Sequence, residues 1–282
     1  MQARSLATAG GTLRGFECER GWLELLAEQV IAAERAGAIL AGALGTARGT
    51  VWLKGDHLPG RARLRHSLRW SVGLGVPRTR ELLNLEWLRA RLFRCPRPLA
   101  AAVLLRGGLV RYQVLALAPL DPHTSLEQAL EGAAHADRQR WLDELAREVA
   151  RMHALHFVHR DLFLRNVAVE LAPVPTRGDP RRLLLLDAWR SGAALPRRGF
   201  EYDLACALLD GAALLERDEQ RGFLARYAEE RAAQDRPLDW AHALPVIDAR
   251  RRELARRVAG DPRRQRGRVP PPLEWDWRSL SL

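Results

Sequence analysis

The spacing of apolar residues between positions 141 and 152 predicts an amphipathic helix. Apolar side chains recur there at intervals of three and four, the spacing of one helix face: Trp141, Leu142, Leu145, Val149 and Met152. Charged side chains lie on the opposite side: Arg147, Glu148 and Arg151. The segment is therefore expected to bury one stripe and to expose the other.

The pattern changes downstream of this helix. Residues 167–169 and 183–186 are short, continuous apolar runs, which are typical of buried strands. The Pro- and Gly-rich piece between them, 172–180, predicts an extended surface loop. Further helices are predicted to open at 201–205 and to cover 217–231. The C-terminal half is thus predicted to be mainly helical, with two short strands.

The N-terminal half has a different pattern. Residues 49–54 carry β-branched and aromatic side chains, which favour a strand. Residues 99–105 and 109–118 predict two more strands, joined by a glycine turn. A helix is predicted over 81–88, whereas 61–80 is basic and is predicted to be irregular. This half is therefore expected to be richer in strands.

Composition places the chain among globular proteins. It has 282 residues, 47% of them hydrophobic and 28% charged, enough for one large domain or two lobes. The longest stretch without charged residues, 36–47, is too short to span a bilayer, and no signal-peptide core follows the N-terminus. Three scattered cysteines, Cys18, Cys95 and Cys206, are expected to be reduced thiols. We therefore expect a cytoplasmic protein.

A formal net charge of +11 indicates an anionic partner or an arginine-rich surface. The partner could be a nucleic acid, an anionic membrane face, or a substrate rich in phosphate and carboxylate. Zinc-finger spacing, glycine-aromatic RNA-binding motifs and interleaved aromatic and basic residues are all missing from the sequence. These absences argue against nucleic acid and leave the other readings open.

One basic residue differs from all the others. Lys54 is the only lysine, and the remaining 44 basic residues are arginine. The two types are nearly equivalent on an exposed surface, but not where a compact ammonium must sit against phosphate oxygens and a carboxylate. Lys54 is therefore a candidate for a functional position at which only lysine serves. The alternative is an incidental surface lysine.

The candidate catalytic segment is His159-Arg160-Asp161-Leu162-Phe163-Leu164-Arg165-Asn166. It matches the pattern H-R-D-L-x-x-x-N of protein-kinase catalytic loops. In that pattern the Asp accepts the proton of a hydroxyl nucleophile, and the Asn ligates a magnesium ion held against nucleotide phosphates. A polar turn between a helix and a strand is the simpler alternative.

Two further positions agree with this reading. Asp187 ends the apolar run 183–186, where kinases carry the second metal-binding aspartate. Lys54 ends Val-Trp-Leu-Lys, the place of the kinase lysine that contacts nucleotide phosphates. Gly42 and Gly45 are candidates for the preceding phosphate loop, although a plain hairpin explains the pattern G-A-L-G equally well.

Supporting residues complete the candidate set. A helix glutamate should orient the strand lysine, and both Glu81 and Glu86 qualify by position. Asp203 is a candidate to brace the backbone of the catalytic loop. His153, His156 and His159 recur at intervals of three, but His159 belongs to the loop itself, so a metal-histidine cluster is disfavoured.

From about residue 50 to residue 227 the chain resembles the lipopolysaccharide kinase (Kdo/WaaP) family. The matching positions are Leu53-Lys54, Arg80-Glu81 with Pro96 and Pro98, His159-Arg160-Asp161, Asp187 with Arg190, Asp203-Leu204-Ala205, and Phe223-Leu224-Ala225-Arg226-Tyr227. The Arg80-Glu81 match favours Glu81 over Glu86.

The resemblance implies an α+β, two-lobed, protein-kinase-like fold. A small β-rich N-lobe, 1–118, would bind the nucleotide. A larger, mainly helical C-lobe, 119–282, would carry the catalytic loop, the metal-binding Asp, the acceptor site and a basic C-terminal tail. The implied reaction is ATP-dependent phosphorylation of a sugar hydroxyl, Kdo or heptose, of the lipopolysaccharide inner core.

The resemblance also implies a role for each candidate. Lys54, Glu81, Gly42 and Gly45 would serve ATP binding. Asn166 and Asp187 would hold Mg²⁺, and Asp161 would deprotonate the acceptor. His159, Arg160 and Asp203 would support the loop. The partners would be ATP, an anionic glycolipid and the anionic inner-membrane surface, to which the cytoplasmic protein would bind peripherally.

Three alternatives remain at this level. A kinase-fold enzyme could act on another small molecule or on a protein. A pseudokinase scaffold would keep the fold without turnover, although the four polar catalytic groups are present in the sequence. A basic nucleic-acid-binding protein would show binding that falls steeply with salt and does not respond to nucleotide.

Overall fold

The computed structural model describes residues 2–8, 10–170, 182–195 and 199–259. The chain divides into two compact units. The first consists of Met1–Leu120 and Asp187–Arg190, and the second of Asp121–Leu186 and Ser191–Leu282. The first contains an antiparallel sheet and the second is mainly helical, in agreement with the predicted α+β class. The predicted loop 172–180 and the basic tail 263–272 lie outside the described residues.

A six-stranded antiparallel sheet forms the centre of the first unit. Its strands are β1 (Gln2–Thr8), β2 (Gly11–Glu17), β3 (Leu40–Thr46), β4 (Gly49–His57), β5 (Pro98–Arg106) and β6 (Leu109–Leu117). Their order across the sheet is β1-β2-β5-β6-β4-β3. The strands predicted at 99–105 and 109–118 are β5 and β6, whereas β1 and β2 were not predicted.

Three helices accompany this sheet: α1 (Trp22–Ala36), α2 (Gly60–Ser71) and α3 (Pro77–Ala90). The prediction of an irregular segment over 61–80 is wrong, because α2 covers its first half and α3 begins within its second half. The apolar residues of α2 mostly face solvent, so this helix lacks the buried stripe by which amphipathic helices are recognised.

The alternation of side chains along β4 determines which way Lys54 points. Val51 and Leu53 are buried in the core formed with α1. Because successive side chains of a strand point to opposite faces, Lys54 projects from the other face of the sheet. Helix α3 packs on the sheet beside β5 and β6. The period of the strand therefore directs the lysine away from the α1 core.

The second unit contains short strands and five helices in its described part. The strands are β7 (His123–Ser125), β8 (Phe157–Val158), β9 (Val167–Glu170), β10 (Leu183–Leu185) and β11 (Gly192–Ala193). The helices are α4 (Leu126–Gly132), α5 (His135–Ala154), α6 (Phe200–Leu214), α7 (Arg217–Ala233) and α8 (Trp240–Ala259).

The sequence patterns of this unit agree with these elements. The amphipathic helix predicted over 141–152 lies within α5, which packs against α7. The two predicted strands are β9 and β10, which pair antiparallel. Ser125 caps α4 by accepting a hydrogen bond from the Gln128 backbone N–H. In the described part of the chain, no helix is both long and apolar enough to cross a membrane.

Candidate active site

The first unit brings together Lys54, Glu81 and Asp187. The Lys54 ammonium donates to Glu81 Oε1 at 3.0 Å and also contacts the Asp187 carboxylate. The Glu81 side chain is 1% exposed, whereas that of Asp187 is 40% exposed. Glu86, the alternative partner, instead interacts with Cys18. Three residues far apart in the sequence thus form one charged cluster.

The electrostatics of this cluster keep Lys54 protonated. Burial alone lowers the pKa of the ammonium, but the negative charges of Glu81 and Asp187 outweigh burial and raise the pKa above its ordinary value. The ammonium is therefore a fixed positive charge at neutral pH. Its partner Glu81 is buried, whereas 40% of the Asp187 side chain is exposed to solvent.

A second cation holds Glu81 from the opposite side. Arg78 Nη1 donates to Glu81 Oε2 at 2.9 Å, and Arg78 Nη2 donates to Asp56 Oδ2 at 2.8 Å. Gln113 completes the network, because its side-chain N–H donates to Asp56 Oδ1 at 2.6 Å. Burial lowers the pKa of Arg78, but Glu81 and Asp56 outweigh it and raise the pKa. Both oxygens of the Glu81 carboxylate are therefore bound by cations.

The sequence interpretation missed Arg78, Asp56 and Gln113. Two positional signals were available. Asp56 follows Lys54 by two residues on β4 and so shares its face, and Arg78 precedes Glu81 by three residues on α3. Neither signal stands out in a chain with 44 arginines.

The second unit contains the predicted catalytic loop. Asn166 Nδ2 donates to the Asp161 backbone carbonyl at 2.8 Å, as does the backbone N–H of Phe163. The Leu186 backbone N–H donates to the Asn166 carbonyl at 2.9 Å. Since Nδ2 is engaged within the loop, Oδ1 is the atom of the Asn166 amide that remains to accept or to ligate.

Asp203 lies beneath this loop and is 0% exposed. Its two carboxylate oxygens accept from the backbone N–H groups of His159 and Arg160, each at 2.6 Å. Arg160 has φ 60°, a left-handed conformation that a non-glycine residue adopts only when its surroundings hold it. The carboxylate therefore holds the backbone just before Asp161.

The neighbouring histidines have structural partners. His153 Nε2 lies 3.2 Å from Asp203 Oδ2, and His153 Nδ1 lies 2.8 Å from the Tyr227 hydroxyl. Burial lowers the pKa of His153, although Asp203 opposes the shift. His159 Nε2 lies 2.8 Å from the Leu186 carbonyl. The His153 and His159 contacts belong to the packing of the loop.

The two candidate glycines lie inside a strand. Gly42 and Gly45 belong to β3 and pair with Leu53 and Thr50 of β4. A two-residue turn at 47–48 joins the strands. This arrangement is a hairpin, as the alternative interpretation of the sequence predicted, and a role of Gly42 and Gly45 in nucleotide binding stays a prediction.

The chemistry of Asn166 and Asp187 fits a magnesium ion. An amide oxygen and a carboxylate are hard oxygen donors, and magnesium is commonly held by one or two protein groups together with phosphates and water. Among the described residues no group of three or more His, Cys, Asp or Glu side chains could hold a metal. Each of the two side chains therefore offers an oxygen donor of the type that magnesium prefers.

Two solved structures are similar to this chain. One solved structure, "WaaP in complex with acyl carrier protein", matches with a TM-score of 0.53 at 18% sequence identity, over 84% of this chain and 97% of that chain. This likeness shows a kinase-like fold. A glucosamine kinase structure matches with a TM-score of 0.47 at 16% identity, over 91% of this chain and 82% of that chain. No curated protein matches the chain.

A family model identifies the family to which the chain belongs. The model of the lipopolysaccharide kinase (Kdo/WaaP) family matches residues 50–220, more than half of the chain. The match spans Lys54, Glu81, Asp161, Asp187 and Asp203. The chain therefore belongs to the lipopolysaccharide kinase (Kdo/WaaP) family and is a phosphotransferase.

Proposed function

We propose that this protein transfers the γ-phosphoryl group of ATP to a sugar hydroxyl, on Kdo or heptose, of the lipopolysaccharide inner core. One observation carries the proposal: the only lysine of the chain bridges a buried helix glutamate and the aspartate that follows β10. This trio of a strand lysine, a helix glutamate and a metal-binding aspartate is what kinases use to place a nucleotide. Family membership supports ATP as the phosphoryl donor.

Each member of the cluster has a proposed role. Lys54 holds the nucleotide phosphates, and Glu81 positions Lys54 from a site that solvent cannot reach. Arg78 positions Glu81 in turn, because it binds the Glu81 carboxylate oxygen that Lys54 does not bind. A fixed ammonium stabilises the charge on phosphate oxygens without reorganising during the reaction.

The second set of roles concerns the acceptor. The Asp161 carboxylate orients the acceptor hydroxyl and takes its proton as the oxygen attacks. Asn166 and Asp187 would hold magnesium, which when bound neutralises charge on the nucleotide phosphates. His159, Arg160 and Asp203 keep the loop in shape, through the backbone contacts of Asp203 and the bond between His159 and the Leu186 carbonyl.

The acceptor is proposed to be an anionic glycolipid at a membrane surface. The net charge of +11 and the 44 arginines suit a substrate crowded with phosphate and carboxylate, since guanidinium groups bind both in a forked geometry. A free sugar or a protein carries less negative charge and would therefore form fewer ion pairs with these arginines.

The test is a phosphorylation assay with labelled ATP and lipopolysaccharides truncated at successive core sugars. We expect label to enter only those lipopolysaccharides that contain the accepting sugar. Lys54→Ala should lower kcat/KM by about 10²–10³-fold, the usual effect of removing one preorganised electrostatic contact. The control Arg89→Ala removes a positive charge from the exposed end of α3 and should leave the rate unchanged.

Three results would refute the proposal. They are the absence of label from every lipopolysaccharide tested, equal labelling by the Lys54→Ala variant and the wild type, or efficient labelling of free sugars or proteins in preference to lipopolysaccharide. The last result would assign the same chemistry to another acceptor.

Arg78→Met should weaken ATP binding more than it slows the chemical step. The variant leaves the Glu81 and Asp56 carboxylates without their shared guanidinium, so Glu81 no longer has a fixed position. We expect KM for ATP to rise about tenfold, by analogy with side chains that hydrogen-bond to metal ligands and orient them. The free energy of unfolding should fall by about 2 kcal/mol, below the range for a fully buried pair because 21% of the Arg78 side chain is exposed.

Steady-state kinetics and urea unfolding measure the two effects. Arg78→Lys restores the charge without the forked geometry and should recover stability more fully than KM. A loss of stability with an unchanged KM in both variants would limit Arg78 to a structural role.

A further inference from the structure

Helix α2 is attached to the sheet by one face only. Ser67 is buried on that face; its hydroxyl accepts from the Val110 backbone N–H at 2.9 Å and donates to the Arg63 carbonyl at 2.7 Å. Trp70 packs beside it against a small buried cluster formed by Leu58, Val76, Val103 and Val110. These contacts determine which side of the helix faces outward.

The outward side is apolar. Leu64 is 62% exposed, Leu68 66% and Val72, at the end of the helix, 61%. Their spacing of four residues places them within a sector of about 80° on the helix surface. Leu74, in the turn that follows, is 57% exposed. We call these four residues the α2 stripe.

Arginines flank the α2 stripe. Arg65 and Arg69 fall at about 100° and 140° from Leu64 around the helix, so they lie along one border of the stripe, and Arg61, at about 60°, lies at its N-terminal end. Besides Arg78, which is paired with Glu81 and Asp56, the segment 58–80 contains five arginines and no acidic residue. The surface therefore combines exposed aliphatic side chains with a positive charge that no acidic residue of the same segment offsets.

We propose that the α2 stripe docks this kinase on an anionic phospholipid surface. Leu64, Leu68 and Val72 would enter the boundary between headgroups and acyl chains, and the flanking arginines would bind lipid phosphates. An apolar stripe bordered by basic residues on one helix is the pattern of helices that lie in the membrane interface. The inference rests on the proposed function, because a glycolipid acceptor is itself anchored in a membrane.

Other occupants fit these features less well. A second copy of the chain would bring the same arginine border against itself in a symmetric interface, and like charges would repel. A partner protein would have to supply a groove for four aliphatic side chains as well as acidic groups, whereas a bilayer supplies both an apolar interior and phosphates everywhere.

Vesicle flotation of the full chain tests the proposal. We expect binding to vesicles of phosphatidylcholine mixed with phosphatidylglycerol, weaker binding to phosphatidylcholine alone, and a decrease of the preference for the anionic vesicles with salt. The double variant Leu64→Ser/Leu68→Ser should bind the anionic vesicles at least about tenfold more weakly. Arg61→Gln/Arg65→Gln should lose the preference for the anionic vesicles.

The matched control is Ile39→Ser/Leu92→Ser. These residues are 73% and 74% exposed and lie outside α2, so the change in exposed hydrophobicity is at least as large. The control should float as the wild type does. Equal loss in the control, unchanged flotation of the α2 variants, or failure of the wild type to bind anionic vesicles would each overturn the proposal. Self-association that the α2 variants abolish, seen by sedimentation velocity, would assign the stripe to a second copy and overturn it too.

A paired assay separates this inference from the proposed function. The acceptor is offered once as intact lipopolysaccharide in anionic vesicles and once as a water-soluble, deacylated core fragment. We expect Leu64→Ser/Leu68→Ser to lose activity at least about fivefold on vesicles and to keep the wild-type rate on the soluble fragment. Equal rates of variant and wild type on vesicles would refute the docking proposal and leave the proposed function standing. A wild type inactive on both acceptors would instead refute the proposed function.

Discussion

Asp161→Asn should lower phosphoryl transfer by about 10²–10⁴-fold while the protein remains folded. The substitution keeps the size of the side chain but removes the group that accepts the proton of the acceptor hydroxyl. The loop should keep its shape, because the contacts that Asn166 and Phe163 make with this residue go to its backbone carbonyl. The loss should therefore appear in kcat, with little change in KM for ATP.

Single-turnover rates and a thermal-shift titration with Mg-ATP measure these two properties separately. Asp218→Asn, an exposed carboxylate in the first turn of α7, is the matched control and should have wild-type kinetics. Wild-type turnover by Asp161→Asn would remove the assignment of the base. A wild type that binds nucleotide without turning it over would favour the scaffold alternative.

The residues that meet at Lys54 could be anticipated because catalytic chemistry restricts both residue type and spacing. A lone lysine at the end of a strand, a helix glutamate and an aspartate after an apolar run are each weak signals, but together they describe one phosphate-binding arrangement. Helix α5 and strands β5 and β6 could also be predicted from the sequence. The buried apolar residues of each recur at the spacing of a helix or a strand.

Other features could not be derived from the sequence, for physical reasons. Strands β1 and β2 mix threonine, glycine and arginine and have few β-branched or aromatic apolar residues, so their alternation is weak. Helix α2 exposes its leucines, so its pattern of apolar residues does not mark a buried face. Arg78 is one arginine among 44, and only its contacts with Glu81 and Asp56 distinguish it. Features that depend on partners rather than on local periodicity need the three-dimensional structure.

Asp203→Ala should destabilise the second unit more than any other single substitution considered above. The carboxylate is fully buried and accepts from the backbone N–H groups of His159 and Arg160 and from His153. Alanine would leave two buried backbone donors without acceptors, and each such donor costs about 1–3 kcal/mol. Arg160 would also lose the carboxylate contact that holds its backbone N–H in the left-handed conformation.

We therefore expect the free energy of unfolding to fall by about 3–5 kcal/mol, measured by urea denaturation. Asp203→Asn separates the contributions: its single amide oxygen can still accept one backbone N–H, while its NH₂ group faces the other donor, so about half of the loss should remain. Transfer activity at a temperature where both variants are folded should fall as well, because the backbone before Asp161 is no longer held in place. Retention of wild-type stability and rate by Asp203→Ala would show that the loop keeps its conformation without this carboxylate. In that case the short backbone contacts would be a consequence of the loop's shape rather than its cause.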